Sequence, residues 1–204
     1  GWYNLNKYKK FFKSKEGEIE MDIYETIDKR KSIRSYLPDK VEEEKLERIL
    51  NAGRKAPSAK NIQPWKFVVT RKSEIKNDLI KACKDQKFMG EAYVILTVCL
   101  NKAEAYQHQG DYMTSFAVDG AIALEHMILA AAAEGLGTCW IGAFKEKEVK
   151  KVLNIPQPYK VVGLTPLGYP EGSGKNRERK SLSDIVEWET FLGIMTIEKF
   201  DFKT

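Results

Sequence analysis

Three stretches of the chain combine residue types and spacings that suit an anionic, flat ligand. The first is Arg30-Lys31-Ser32-Ile33-Arg34. Arginines at i and i+4 around a hydroxyl can fork onto the oxygens of one phosphate. The same cations also suit a solvated helix end, where they favour the dipole. A second basic group, Arg177, Arg179 and Lys180, follows a Gly-rich loop and is either surface charge or a second grip on the same anion. The second stretch is Pro57-Ser58-Ala59-Lys60-Asn61-Ile62-Gln63-Pro64-Trp65. Its small residues let a flat ligand near the backbone, and Asn and Gln present donor and acceptor edges to an imide-like group. It reads equally as a loop turning into a strand at Trp65. The third is Gly135-Leu136-Gly137-Thr138-Cys139-Trp140-Ile141-Gly142. It lacks the spacing of a phosphate loop or a dinucleotide fingerprint, but its glycines allow the N–H groups of Ile141 and Gly142 to face a ligand. Cys139 sits among apolar neighbours with no histidine near it in sequence, so it reads as buried and structural. His108 and His126 fit no catalytic pattern, and no Ser–His–Asp set or carboxylate pair stands out. No side chain is therefore assigned as catalytic.

Composition narrows the field. The chain has 204 residues, 43% hydrophobic and 31% charged, which suits one globular domain or one plus an appendage. Three cysteines without a C-x-x-C and two histidines leave no metal site or disulfide framework to expect. The net charge is +5; residues 1–20 hold five lysines against three glutamates, leaving 29 basic against 26 acidic side chains in the remainder. That balance excludes a nucleic-acid protein, which needs a concentrated basic face. The apolar stretch 117–133 is broken by Asp119, Glu125 and His126 and is too polar to read as a membrane span. The expectation is a soluble, cytoplasmic protein of a reducing compartment.

Residues 1–20, rich in Lys and aromatics, read as an appendage to a domain over 21–204: a leader, the tail of an upstream module or a partly artificial tract. Asp22-x-x-Glu25 predicts a capping box for a helix whose apolar face is Ile23, Tyr24 and Ile27. Helices are predicted over 41–53, 73–83, 111–134 and 145–153, the long one ending at Gly135. Strands are predicted over 65–70, 92–100, 138–142 and 159–168. The apolar, β-branched run at 92–100 reads as a central strand covered on both faces. The tail from about 188 reads as an arm. The sum is α+β.

Taken in order, the pieces resemble the FMN-dependent nitroreductase superfamily over about residues 22–186. They are Arg30-Lys31-Ser32-Ile33-Arg34-Ser35-Tyr36, the 56–65 stretch, the 135–142 stretch, Pro166-Leu167-Gly168-Tyr169-Pro170, and Arg179-Lys180 ahead of Leu182. The resemblance implies a mixed sheet flanked by helices, in an intertwined homodimer with FMN at the interface. Arg30, Ser32 and Arg34 would hold the phosphate and ribityl end, with Lys31 in backbone contact and Arg179 capping the phosphate. Pro57, Ser58, Ala59 and Asn61 would come from the opposite subunit, while Trp140, Ile141 and Gly142 line the ring. NADH or NADPH would pass hydride to flavin N5 in a ping-pong cycle that ends on a nitroaromatic, quinone or related small aromatic acceptor. Segments 87–91 and 101–112 would set acceptor choice. Glu104 and Tyr106 invite comparison with the iodotyrosine deiodinase branch, but Cys139-Trp140-Ile141 replaces that branch's Thr-rich stretch. A reductive dehalogenase or another specialised flavoenzyme of the same fold, and a flavin-binding or interaction protein without turnover, are the alternatives.

Overall fold

The computed structural model describes residues 22–191. The expected appendage at 1–20 and the arm beyond 191 lie outside the described residues. The chain divides into two compact units, one reaching Gly174 and one starting at Lys175.

The first unit is built on a four-stranded sheet in the order β1-β2-β4-β3: β1 (Trp65–Thr70), β2 (Val94–Asn101), β3 (Gly137–Thr138) and β4 (Tyr159–Gly168). All three ladders are antiparallel. Among the described residues, the parallel component of the expected mixed sheet is a single bridge, Ser32 to Thr138. Every residue of β2 is buried, as its apolar run predicts. Strand alternation sorts its side chains between two cores. Val94, Leu96, Val98 and Leu100 pack with α2 (Glu43–Arg54) and α4 (Phe116–Ala133). Ile95 and Cys99 face the core formed with α3 (Ser73–Ala82) and α5 (Glu146–Val152).

A register shift between Val98 and Cys99 leaves Val162 of β4 without an opposite residue. Such a bulge turns successive side chains toward one face. Val162 and Gly163 both meet α4: a Cβ on Gly120 would fall 2.8 Å from Val162, and one on Gly163 would fall 2.9 Å from Leu124. α4 thus seats directly on the sheet. It is long and apolar enough to cross a membrane by length and composition. Its residues Asp119, Gly120, Ala123, Leu124, Met127, Ile128 and Ala131 are instead buried in this domain.

Two expectations are corrected. α4 begins at Phe116 rather than 111. Gly110 and Asp111 both have left-handed φ (59° and 60°), and Gln109 bridges to Met113, so the chain turns there instead of winding. In α1 (Ile23–Lys29) Asp22 makes no side-chain cap. Its carbonyl accepts the Thr26 hydroxyl at 3.0 Å instead. The apolar face expected on α1 exists but is open: Ile23, Tyr24 and Ile27 are 54%, 74% and 50% exposed.

The C-terminus of α4 closes as expected. Gly135 takes φ 75°. Leu136 N–H donates to Ala131 O at 2.8 Å and Gly135 N–H to Ala132 O at 3.1 Å, the paired bonds of a Schellman motif. In the second unit, Ser181 and Asp184 cap a short 3-10 turn, Leu182–Asp184.

Leu124 is fully buried between α4 and β4. Leu124→Ala is expected to lower unfolding stability by about 3 kcal/mol, read as a reduced midpoint in guanidinium denaturation.

Candidate functional site

Residues 30–36 follow α1 as extended chain laid along the end of the sheet. Ile33 N–H donates to Thr138 O at 2.8 Å, and Leu37 N–H donates to Tyr169 O at 2.9 Å. Gly137 makes the approach possible, since a Cβ there would fall 3.0 Å or less from three atoms of the Ile33 side chain. β-branched Ile33 cannot swing away, so the pairing depends on that glycine.

This pairing gathers the first and third stretches. Ser32 comes close to the Cys139 side chain and, with the charges of Arg34 and Arg30, favours its thiolate. Burial still wins over those cations and holds the Cys139 thiol above its ordinary range. Arg34 is exposed, and its guanidinium lies over the Phe88 ring, 5.9 Å from the centroid. Tyr36 is buried, donates its hydroxyl to Ile33 O at 2.9 Å, and has its backbone N–H directed to Glu91 at 3.3 Å. Burial pushes its phenol well upward. Segment 87–91 therefore borders Arg34. Arg30 also acts on Glu125 of α4, whose half-buried carboxyl is raised by burial and lowered by Arg30 and His126. Lys31 is half-buried beside Gly174.

Beyond Thr138 the chain leaves β3. Cys139 N–H donates to the Thr165 hydroxyl at 3.1 Å, and Ile141 exchanges backbone hydrogen bonds with Leu164 at 2.8 and 3.3 Å. Ile141 is buried and Gly142 is exposed. Trp140, 38% exposed, keeps its indole against Gly163. Gly142 thus opens main chain to the surface beside an accessible indole.

The second stretch forms a separate, tightly knotted loop. Lys60, Asn61 and Gln63 all adopt left-handed φ (52°, 56° and 54°). Asn tolerates this; Lys and Gln are strained by about 1 kcal/mol or more each. Internal bonds hold the strain. Asn61 N–H donates to Ser58 O, Gln63 N–H to Ser58 Oγ at 2.9 Å, and the Gln63 amide to the Asn61 side chain at 3.1 Å. Pro57 and Asn61 are exposed, and Ser58 and Ala59 are half-buried. The loop's outward ties run to Asp119 and Tyr106, a different end of α4 from the Arg30–Arg34 segment. Each chain thus presents two partial surfaces.

Arg177, Arg179 and Lys180 lie in the second unit, where all three are exposed. Among the described residues no group of three His, Cys, Asp or Glu can hold a metal ion. A cavity of about 740 Å³ between α2, β1 and α3 is lined by none of the residues singled out above. Three contributors were not singled out as residues from the sequence. Phe88 and Glu91 are joined to Arg34 and Tyr36 only by folding. Asp119 looked like a mere interruption of an apolar stretch; its signal was a serine four residues earlier, at Ser115.

The Nitroreductase family model matches residues 27–93 and 80–169. A Thermus thermophilus protein named NADH dehydrogenase is 32% identical over 189 residues, covering 78% of this chain and 92% of that protein. The Bacillus subtilis FMN reductase (NAD(P)H) is 28% identical over 187 residues, with coverage of 84% and 75%. The crystal structure of a nitroreductase family protein from Clostridium novyi superposes with a TM-score of 0.69 at 36% identity, over 75% of this chain and 87% of that one.

Burial raises the thiols of Cys83 and Cys99 to about 11 and about 12, and that of Cys139 in the same direction. All three stay protonated at pH 8. An aromatic disulfide reagent is expected to titrate less than one thiol of the folded protein and all three after denaturation.

Proposed function

This chain belongs to the nitroreductase family, and we propose that it works as an FMN-dependent NAD(P)H oxidoreductase with nitroaromatic, quinone or related small aromatic compounds as acceptors. The observation that carries the proposal is the Ile33 to Thr138 backbone bond at 2.8 Å. It turns two basic side chains and a hydroxyl, scattered along one loop, into a single surface beside the 138–142 main chain.

The donors present fit the cofactor. Arg30, Ser32 and Arg34 supply two guanidinium groups and a hydroxyl for a phosphate and a polyol chain. Lys31 adds backbone contact. The exposed Gly142 and the Trp140 indole offer a flat, side-chain-poor wall. FMN, when bound, supplies the two-electron chemistry: it takes up hydride from the nicotinamide and returns the electrons to the acceptor. The protein's own task is to bind, orient and stabilise charge. Arg34, an exposed cation braced on Phe88, is placed to favour the anionic reduced form. Cys139 stays a protonated packing group.

The two partial surfaces of one chain favour a homodimer. In this reading Pro57, Ser58, Ala59 and Asn61 of one copy complete the surface built from 30–34 and 138–142 of the other. The open apolar face of α1 is consistent with such an interface, since Ile23, Tyr24 and Ile27 are each at least half exposed. Segments 87–91 and 101–112 would frame the acceptor.

The purified protein is expected to carry a flavin absorbance spectrum that bleaches on anaerobic addition of NADH or NADPH, with nicotinamide oxidised in equal amount. A colourless protein that takes up no FMN overturns the proposal. Arg34→Ala is expected to weaken FMN binding about tenfold or more and to lower the flavin midpoint potential, measured by fluorescence titration and by dye equilibration. Unchanged affinity and potential remove Arg34 from the site.

A further inference from the structure

Asp119 is a carboxylate on an Ala-rich helix and is 3% exposed. Burying a charge is costly unless it is well hydrogen-bonded. Its two oxygens go in different directions. Oδ1 accepts the Ala59 N–H at 3.1 Å, and Oδ2 accepts the Ser115 hydroxyl at 2.7 Å. Ser115, fully buried, passes the connection on. Its Oγ accepts the Tyr106 N–H at 3.2 Å, and its own N–H donates to Tyr106 O at 2.8 Å. Two further ties lie at the same junction. Asn101 N–H donates to Pro64 O at 2.8 Å, and the Lys60 ammonium lies 4.7 Å from the Tyr106 ring centroid.

A helix-borne carboxylate therefore stands between two irregular segments, the 57–63 loop and the 101–115 turn, which flank the end of the β1–β2 ladder where Trp65 pairs with Leu100. Beyond that ladder both run as irregular backbone: three left-handed residues in one, and Gly110 and Asp111 in the other. We propose that Asp119 is a positioning residue that locks these two segments into one body. The loop that faces the flavin ring and the segment that frames the acceptor then keep a fixed separation. The proposal rests on the oxidoreductase reading for its consequence in turnover, but the tie itself is a property of this chain.

The consequence is specific. Loosening the tie spreads the acceptor wall over many positions, which weakens acceptor binding more than it slows the electron-transfer step once the acceptor is seated. Asp119→Ala removes both acceptor oxygens. Asp119→Asn keeps the shape: its amide oxygen can still accept from Ala59, and its amide N–H can donate to Ser115 Oγ. Lys60→Ala, on an exposed side chain, cuts only the outer tie and leaves the core untouched.

The test compares the FMN-loaded parent protein with these three variants in two measurements, steady-state kinetics with a quinone acceptor and amide hydrogen exchange. The expected result for Asp119→Ala is an acceptor KM raised about tenfold with kcat changed less than about threefold. Amide exchange is expected to accelerate within 57–63 and 101–115 while β2 keeps its protection. Asp119→Asn is expected to restore most of both. Lys60→Ala is expected to raise KM in the same direction by about threefold, which keeps the idea testable if Asp119→Ala does not fold. Exchange that accelerates equally across β2, an unchanged KM in both Asp119→Ala and Lys60→Ala, or an Asp119→Asn protein as impaired as Asp119→Ala would each overturn the proposal. If the parent protein takes up no FMN, the oxidoreductase reading fails on its own, and the exchange pattern alone decides the role of Asp119: local acceleration supports it, global acceleration overturns it.

Discussion

Both halves of the candidate site hang on one buried helix. α4 lies between α2 and the sheet, and its position is fixed by the steric fit of Gly120 against Leu100 and Val162 and of Leu124 against Gly163. The β4 bulge makes that fit possible by turning Val162 and Gly163 to the same face. From there, each end of the helix controls one irregular stretch. Near its N-terminus, Asp119 and Ser115 hold the 57–63 loop and the 101–115 turn. Past its C-terminus, the Schellman bonds at Gly135 and Leu136 deliver the chain into β3 at the height where Ile33 meets Thr138. A shift of the helix along its axis would move both surfaces at once.

The polar groups are divided by how they meet the cost of burial. Buried side chains of chargeable type are held by several directed hydrogen bonds: Asp119 by Ala59 and Ser115, and Lys76 by the carbonyls of Gly90 at 3.1 Å and Ala92 at 2.7 Å. Burial lowers the Lys76 ammonium accordingly. The thiols and the Tyr36 phenol take the other course and stay neutral. The exposed cations Arg34 and Lys60 rest on aromatic faces, Phe88 and Tyr106.

Much of this organisation was legible along the chain. Local chemistry decides a strand that is apolar or small from Val94 to Leu100, a helix end marked by Gly135, or a helix with Leu46 and Ile49 on one side. β1 and β4 lie where alternation and β-branching put them. The three site stretches could be picked out because their chemistry is carried by short spacings: arginines at i and i+4, a Pro-Ser-Ala-Lys-Asn turn, a run with three glycines. What escaped was long-range. Nothing near residue 111 in sequence reveals that Gln109 and Met113 bridge and delay the helix start to Phe116. Asp22-x-x-Glu25 has the spacing of a capping box, yet the Thr26 hydroxyl takes the Asp22 carbonyl and the side-chain cap is not made.

By itself, then, the sequence determined most of the element types, the two-sided burial of β2, and which stretches carry donors of a kind that suits an anionic or flat ligand. Those properties follow from hydrophobic period, turn residues and donor identity, which act over a few residues. Only the tertiary structure decided that Ser32 lies against Cys139, that Phe88 braces Arg34, and that Asp119 ties Ala59 to Tyr106 through Ser115. These contacts join residues about 50 to more than 100 positions apart. Whether they form depends on how α4 settles on the bulged sheet, because close packing, rather than local propensity, sets the separation of groups so far apart in the chain.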